Sequence, residues 1–235
     1  MTVSVVVPWR ADGGPRDAAW SWVWARWLAE FPDWQVLRGE APLPGPWCKA
    51  AAVADALPRT AGELLVIADA DVWCEETQTA VDAVASGAGW AVPHMRVHRL
   101  TETATAAVLD GTPLDGRLPL AQRPYTGFAG GGMAVLPRAL YDEVPLDARF
   151  AGWGQEDEAW ALALTCLAGP PWRGGAPLWH LWHPPQARLS RRWGSDASQD
   201  VWRRYHGARS DPPVMRAVLA EAAGEVHRAG SCDAG

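Results

Sequence analysis

The sequence predicts an α/β fold: a mostly parallel central sheet flanked by helices, with a mixed C-terminal half. Three observations carry this. Residues 3–7 (VSVVV) and 64–68 (LLVIA) are runs without alternation, the pattern of strands covered on both faces. Segments of helical periodicity lie between strand-like runs, which is the βαβ alternation of a parallel sheet. Charged residues stand just beyond the two runs, Arg10 after the first and Asp69 and Asp71 after the second. Open α/β sheets take their ligands at such strand ends.

Taken in order, Pro8 is expected to end the first strand. Over residues 15–31, Trp20, Val23, Trp24, Trp27, Leu28 and Phe31 recur at helical spacing and predict an amphipathic helix. Its tryptophan stripe is expected to pack in the core. A short strand is predicted at 34–38, then an Ala-rich helix at 47–57 stopped by Pro58. After the 64–68 strand the pattern gives a helix at 75–85, a short strand at 90–92 and a helix at 101–109. Residues 110–127 carry Gly and Pro and read as a loop. Gly130-Gly131-Gly132 leads into a strand at 133–136 and a short helix at 138–144. Residues 155–167 predict a helix and 178–182 a strand that breaks before Pro184 and Pro185. A polar, Arg-rich stretch at 184–198 precedes helices near 199–206 and 213–227. No internal repeat or interdomain linker interrupts the chain.

Composition limits the function. A chain of 235 residues suits one large domain or a closely fused pair. A net charge of −6 argues against general nucleic-acid binding. No apolar stretch approaches the roughly 20 residues that span a bilayer, so no membrane span is expected. Residues 1–7 run directly into a strand, without the pattern of a signal peptide. Cys48, Cys74, Cys166 and Cys232 are scattered, without metal-type pairing. A cytoplasmic protein with reduced thiols is the expectation. Lysine is nearly absent, and arginine supplies almost all the positive charge. The 16 tryptophans fill cores in most settings, but the indole ring also stacks on sugars.

Three constellations carry chemistry. Asp69-Ala70-Asp71 ends a buried strand, and hard divalent cations prefer carboxylate oxygens. A cation there can neutralise a departing diphosphate. With sixteen Asp in the chain, about one D-x-D arises by chance, and an Asx turn or helix cap is the alternative reading. Gly152-Trp153-Gly154-Gln155-Glu156-Asp157 is more specific. Its glycines allow close backbone approach, Trp153 can form a sugar platform, and Glu156 and Asp157 fall in a first helical turn. A carboxylate there can deprotonate an acceptor hydroxyl, although acids at a helix start also serve as plain capping. His180 and His183 can reach one metal only if the strand breaks near His180. The chain has no G-x-x-x-x-G-K-[ST] loop, no G-x-G-x-x-G after the first strand and no G-x-S-x-G.

These segments resemble the GT-A-fold nucleotide-sugar glycosyltransferases. The likeness is to family-2-type enzymes and to the C-terminal motif of β-1,4-galactosyltransferases and polypeptide N-acetylgalactosaminyltransferases. It runs from Val3 to about Pro185. Val5-Val6-Val7-Pro8-Trp9-Arg10 is similar to the opening strand that contacts the nucleotide. Ala68-Asp69-Ala70-Asp71-Val72 matches the D-x-D motif, with Asp71 as metal ligand. Phe128 to Ala134 resembles the glycine turn beside the donor, which implies Gly131 and Gly132 as donor contacts. Residues 152–157 match W-G-x-E-D, which implies Asp157 as catalytic base and Glu156 as an acceptor or sugar contact, with Trp153 beside the donor. His180 and His183 match the late metal-ligand position. Arg188, Arg191 and Arg192 resemble the mobile loop that closes over the donor. Two positions depart from the family: Lys49-Ala50-Ala51 stands where Asn is common, and Gln155 replaces the second glycine of W-G-G-E-D.

The resemblance implies a single catalytic domain over 1–230: a nucleotide-binding half (1–100), an acceptor and catalytic half (101–185), then a mobile loop and C-terminal helices (186–230). It implies Mn²⁺ or Mg²⁺ as cofactor and a UDP-sugar as donor. The acceptor is a hydroxyl of a glycan, protein or other molecule, with inversion as the expected outcome and retention as the alternative. A carbohydrate-binding protein without catalysis is the rival from another class. A nucleotidyltransferase is disfavoured, because the Gly- and Lys-rich N-terminal loop of such enzymes is absent.

Overall fold

The computed structural model describes residues 1–152, 154–184 and 195–232, with side chains to residue 222. Among the described residues one sheet forms from β1 (Val3–Trp9), β2 (Gln35–Glu40), β3 (Leu64–Ala68), β4 (Val72–Trp73), β5 (Ala91–Arg99), β6 (Met133–Pro137) and β7 (Trp172–His180). The spatial order is β2-β1-β3-β6-β5-β7-β4. β1 runs parallel to β2 and β3, and β5 runs parallel to β7. The β3–β6, β5–β6 and β4–β7 contacts are antiparallel. The first half of the chain thus supplies a parallel trio, and the mixed portion lies beyond it.

The helices are α1 (Pro15–Glu30), α2 (Lys49–Ala56), α3 (Thr77–Ala85), α4 (Glu102–Leu109), α5 (Arg138–Glu143), α6 (Glu156–Ala168), α7 (Asp196–Ala208) and α8 (Pro212–Cys232). Their starts follow local chemistry. α1 opens on a proline, whose missing N–H costs nothing in a first turn. Thr101 Oγ1 accepts from the Ala104 N–H at 3.1 Å, and Ser195 Oγ from the Ser198 N–H at 3.1 Å.

The unbroken apolar strands are explained by two cores. Val6, Leu65, Ile67, Ala134 and Leu136 face one way, against α2, α5, α6, α7 and α8. Val5, Val7, Leu64, Val66 and Val135 face the other way, against α1 and α3. Alternate residues therefore enter different cores, and both must be apolar. Trp20 and Trp27 of α1 are core residues, as expected, while Trp22 and Trp24 pack partly buried against that core and Leu28, expected in the same stripe, is exposed at the end of the helix. The Trp27 ring lies 4.9 Å from Trp73, 5.5 Å from Phe31 and 6.3 Å from Trp34, centroid to centroid.

Four details differ from the sequence expectation. Pro8 lies inside β1 and pairs with Gly39, whereas β3 pairs with β1 only over Val3–Val6. At Pro8 one side of β1 has no ladder to complete, so a missing N–H is tolerated. β5 runs on to Arg99 because register shifts around His94 absorb Pro93. β7 starts at Trp172, earlier than its apolar part suggests. β4 is two residues long, below any periodic signal. Among the described residues no helix is long and apolar enough to cross a membrane.

Candidate active site

A cleft of about 650 Å³ opens beyond the C-terminal ends of β1 and β3. It is lined by Pro8, Trp9 and Arg10 from the end of β1, Asp69 and Asp71 after β3, Gly131 and Gly132 before β6, Glu156 and Asp157 of α6, and His180 and His183. Those predicted residues, drawn from segments spread over most of the chain, share one cavity. Trp153, Arg188, Arg191 and Arg192 lie outside the described residues.

The two-residue strand β4 assembles the first cluster. Val72 pairs with His180, and the Leu181 N–H donates to the Asp71 carbonyl at 2.8 Å. This ladder brings Asp71 beside the end of β7. His180 is the last residue of β7, so the chain leaves strand geometry there and His183 turns back to the same acid. His183 Nε2 is 3.3 Å from Asp71 Oδ2, and His180 Nε2 is 3.9 Å from Asp71 Oδ1. One ligand atom from each of the three residues falls within 4.8 Å of the others.

The donor set suits a divalent cation. His180 Nδ1 donates to the Leu181 carbonyl at 2.8 Å, which leaves the Nε2 lone pair toward Asp71. Burial first, and then Arg99, push the His180 imidazole below its ordinary range, so the ring is neutral at pH 7. Burial works against ionisation of Asp71. The facing His180, His183, Arg16 and Arg99 outweigh it and hold this carboxyl below its usual value. Two arginines stand guard on the imidazoles: Arg99 Nη1 reaches His180 Nε2 at 3.1 Å, and Arg16 Nη2 reaches His183 Nδ1 at 3.0 Å.

The second cluster is built at the start of α6. Glu156, Asp157 and Glu158 occupy its first turn, and Gln155 precedes it with φ +73°, in the left-handed region. That backbone favours glycine, and this chain carries a glutamine against the preference. Gln155 Nε2 donates to Glu158 Oε2 at 2.8 Å. The Glu156 carboxyl is pushed up to about 7 by burial and by the neighbouring Asp157. Asp157 is also raised, by burial first, with Asp69 adding and Lys49 opposing.

Lys49, the first residue of α2, joins the clusters. Its Nζ donates to Asp69 Oδ1 and to Asp157 Oδ1, each at 2.8 Å. The glycine turn closes the other side. A Cβ on Gly130 would stand 2.5 Å from the Asp157 carbonyl oxygen, and one on Gly132 would stand 2.3 Å from Leu178 Cδ2. The glycines before β6 are thus required by close packing on α6 and β7. Arg10 braces the cleft wall. Its guanidinium donates to the carbonyls of Gly45, Pro42 and Pro46 at 2.9, 3.2 and 3.2 Å and lies over the Trp47 ring.

No protein-family model matches the sequence, and no curated protein matches it at a significant level. Solved structures do match. The catalytic domain of Drosophila β-1,4-galactosyltransferase 7, in complex with xylobiose, superposes with a TM-score of 0.52 at 14% identity, covering 86% of this chain and 79% of that one. Glucosyl-3-phosphoglycerate synthase of Mycobacterium tuberculosis, in complex with Mn²⁺, UDP-glucose and phosphoglyceric acid, superposes with a TM-score of 0.51 at 14% identity, covering 89% and 79%. The chain has the GT-A fold.

Within this GT-A fold, sequence reasoning missed three basic residues of the cleft, Arg16, Lys49 and Arg99. Arg16 and Arg99 left no local signal, since neither belongs to a motif. Lys49 did leave one: it is the only lysine in a chain whose other basic side chains, histidine aside, are arginine.

Proposed function

We propose that this protein is a metal-dependent glycosyltransferase. It moves a hexose or N-acetylhexosamine from a nucleotide-diphosphate sugar, with UDP-sugars as the donor class, to an acceptor hydroxyl. The observation that carries this reading is the shared cleft, in which the Asp71–His180–His183 cluster and the Asp157 carboxylate both line one cavity.

Asp71, His180 and His183 would hold Mn²⁺ or Mg²⁺, which would supply charge neutralisation for a diphosphate leaving group. Pro8, Trp9, Arg10 and Asp69 form the wall for the nucleotide, and Gly131 and Gly132 for the donor sugar. Asp157 takes the proton of the acceptor hydroxyl as that oxygen attacks the anomeric carbon. The new carbon–oxygen bond forms as the bond to the diphosphate breaks, and the diphosphate leaves with the electron pair. Attack from the face opposite the leaving group inverts the anomeric centre. Glu156, with its carboxyl near 7, retains a proton in part of the population at neutral pH and can donate a hydrogen bond to the acceptor or sugar. Residues 1–230 act as one catalytic domain in this reading, because the cleft draws on both halves of the chain. A cytoplasmic location belongs to the same proposal.

The test is incubation with a panel of UDP- and GDP-sugars and Mn²⁺. Slow nucleotide release that Asp71→Ala abolishes supports the transferase. Sugar binding without nucleotide affinity supports the rival carbohydrate-binding protein. Proton NMR of fresh product decides the stereochemistry, and a retained anomeric configuration removes Asp157 from the role of base.

A further inference from the structure

Of the 21 lysine and arginine residues, one is a lysine, and it is 5% exposed. Burying an ammonium is unfavourable unless it is fully paired. Lys49 meets that condition with two carboxylates from distant segments, Asp69 beyond β3 and Asp157 in the first turn of α6. Its own anchor is rigid. Cys48 caps α2 by accepting from the Ala51 N–H, and Ala50, Ala52, Val53 and Ala56 are buried beneath the sheet. A compact ammonium with three donors fits between two oxygens at 2.8 Å, where a planar guanidinium would need more room.

The charges around Asp157 make the pairing consequential. Asp69 faces it from β3, Glu156 and Glu158 flank it on α6, and Tyr141 of α5 lies within electrostatic reach of Lys49. Burial first, and then Asp69, disfavour an ionised Asp157, and Lys49 is the cation in contact with it. Lys49 holds Oδ1, while Oδ2 turns toward the Gly131 backbone, 3.2 Å from where a Cβ on that glycine would stand.

We propose that Lys49 is a positioning residue for Asp157: it fixes one carboxylate oxygen and keeps the group ionised, so that Oδ2 is the atom that takes the acceptor proton. The inference rests on the transferase reading, and it adds a tie between the nucleotide-binding and catalytic halves at a single ammonium. Without the cation, neighbouring carboxylates share protons and the base is lost over the lower part of the pH range.

The experiment follows nucleotide release from UDP-glucose, UDP-galactose and GDP-mannose with Mn²⁺ over about pH 5 to 9, for the wild type, Asp157→Asn, Lys49→Met and Lys49→Arg. Lys49→Met is expected to move the acid limb of kcat/KM upward by about one to three pH units, with donor KM changed less than about threefold. Lys49→Arg keeps a cation and is expected to leave the limb near its wild-type position while lowering kcat. Protein labelled with ¹³C-lysine gives one side-chain ε signal, which is expected to shift in Asp157→Asn. If Asp157→Asn is inactive and the Lys49→Met profile superimposes on wild type, the positioning role is overturned. An unmoved lysine signal overturns the contact itself, and this readout and Lys49→Arg serve if Lys49→Met does not fold. A wild type with no turnover on the panel, or an Asp157→Asn as fast as wild type, overturns the transferase reading instead.

Discussion

Arg99 donates to His180 Nε2 at 3.1 Å, through the same ring nitrogen that faces Asp71. The arginine and a divalent cation therefore compete for one lone pair and repel each other. Arg99→Ala is expected to bind Mn²⁺ roughly tenfold more tightly, the effect of removing one unit charge at contact distance in a partly solvated site. Calorimetric titration with Mn²⁺ measures this, and unchanged or weaker affinity contradicts the competition.

Glu156 gives a pH signature in stability. Its folded-state carboxyl is raised from the ordinary value to about 7, so the folded protein binds more protons than the unfolded chain between those limits. Its stabilising contribution is complete below the unfolded value and is lost as pH rises through the folded one. Glu156→Gln removes the charge that burial penalises. The variant is expected to be more stable than wild type at about pH 8, by about 2 kcal/mol, and to converge with it at low pH. Urea denaturation at both pH values checks the sign.

Gln155 holds a backbone conformation that glycine adopts freely. Gln155→Gly is expected to stabilise the fold by about 0.5–1 kcal/mol after loss of the Glu158 hydrogen bond, seen as a Tm rise of about 2 °C. A fall in Tm would mean that the side-chain contact outweighs the strain.

Trp27 is fully buried and packs against Phe31, Trp34 and Trp73. Trp27→Ala opens a cavity between α1 and the sheet and is expected to cost about 3–5 kcal/mol, read from the denaturation midpoint. A loss under about 1 kcal/mol would show that the neighbouring rings collapse into the space.

Much of the fold was legible because local patterns and the final packing agree. The apolar runs at 3–7 and 64–68 encode burial on both faces, and the two cores supply it. The tryptophan spacing of α1 encodes one buried stripe, and Trp20, Val23 and Trp27 occupy it. β4 and the far end of β5 were not legible. A two-residue strand has no period, and Pro93, His94 and Arg96 mask a strand whose bulges only its neighbours reveal.

By itself the sequence singled out candidates for chemistry: Asp71, Asp157 and the two histidines are set apart by residue type and by the motifs around them, and all four line one cleft. Tertiary structure alone decided who meets whom. The β4–β7 ladder sets Asp71 against His180, the end of β7 lets His183 return to the same carboxylate, and Lys49 reaches Asp69 and Asp157 from a helix far from both in sequence. Contacts of this kind depend on strand order and helix placement, which the whole core fixes through non-local burial. A periodic pattern records which face of an element is buried, and it carries no information about what lies across the cavity.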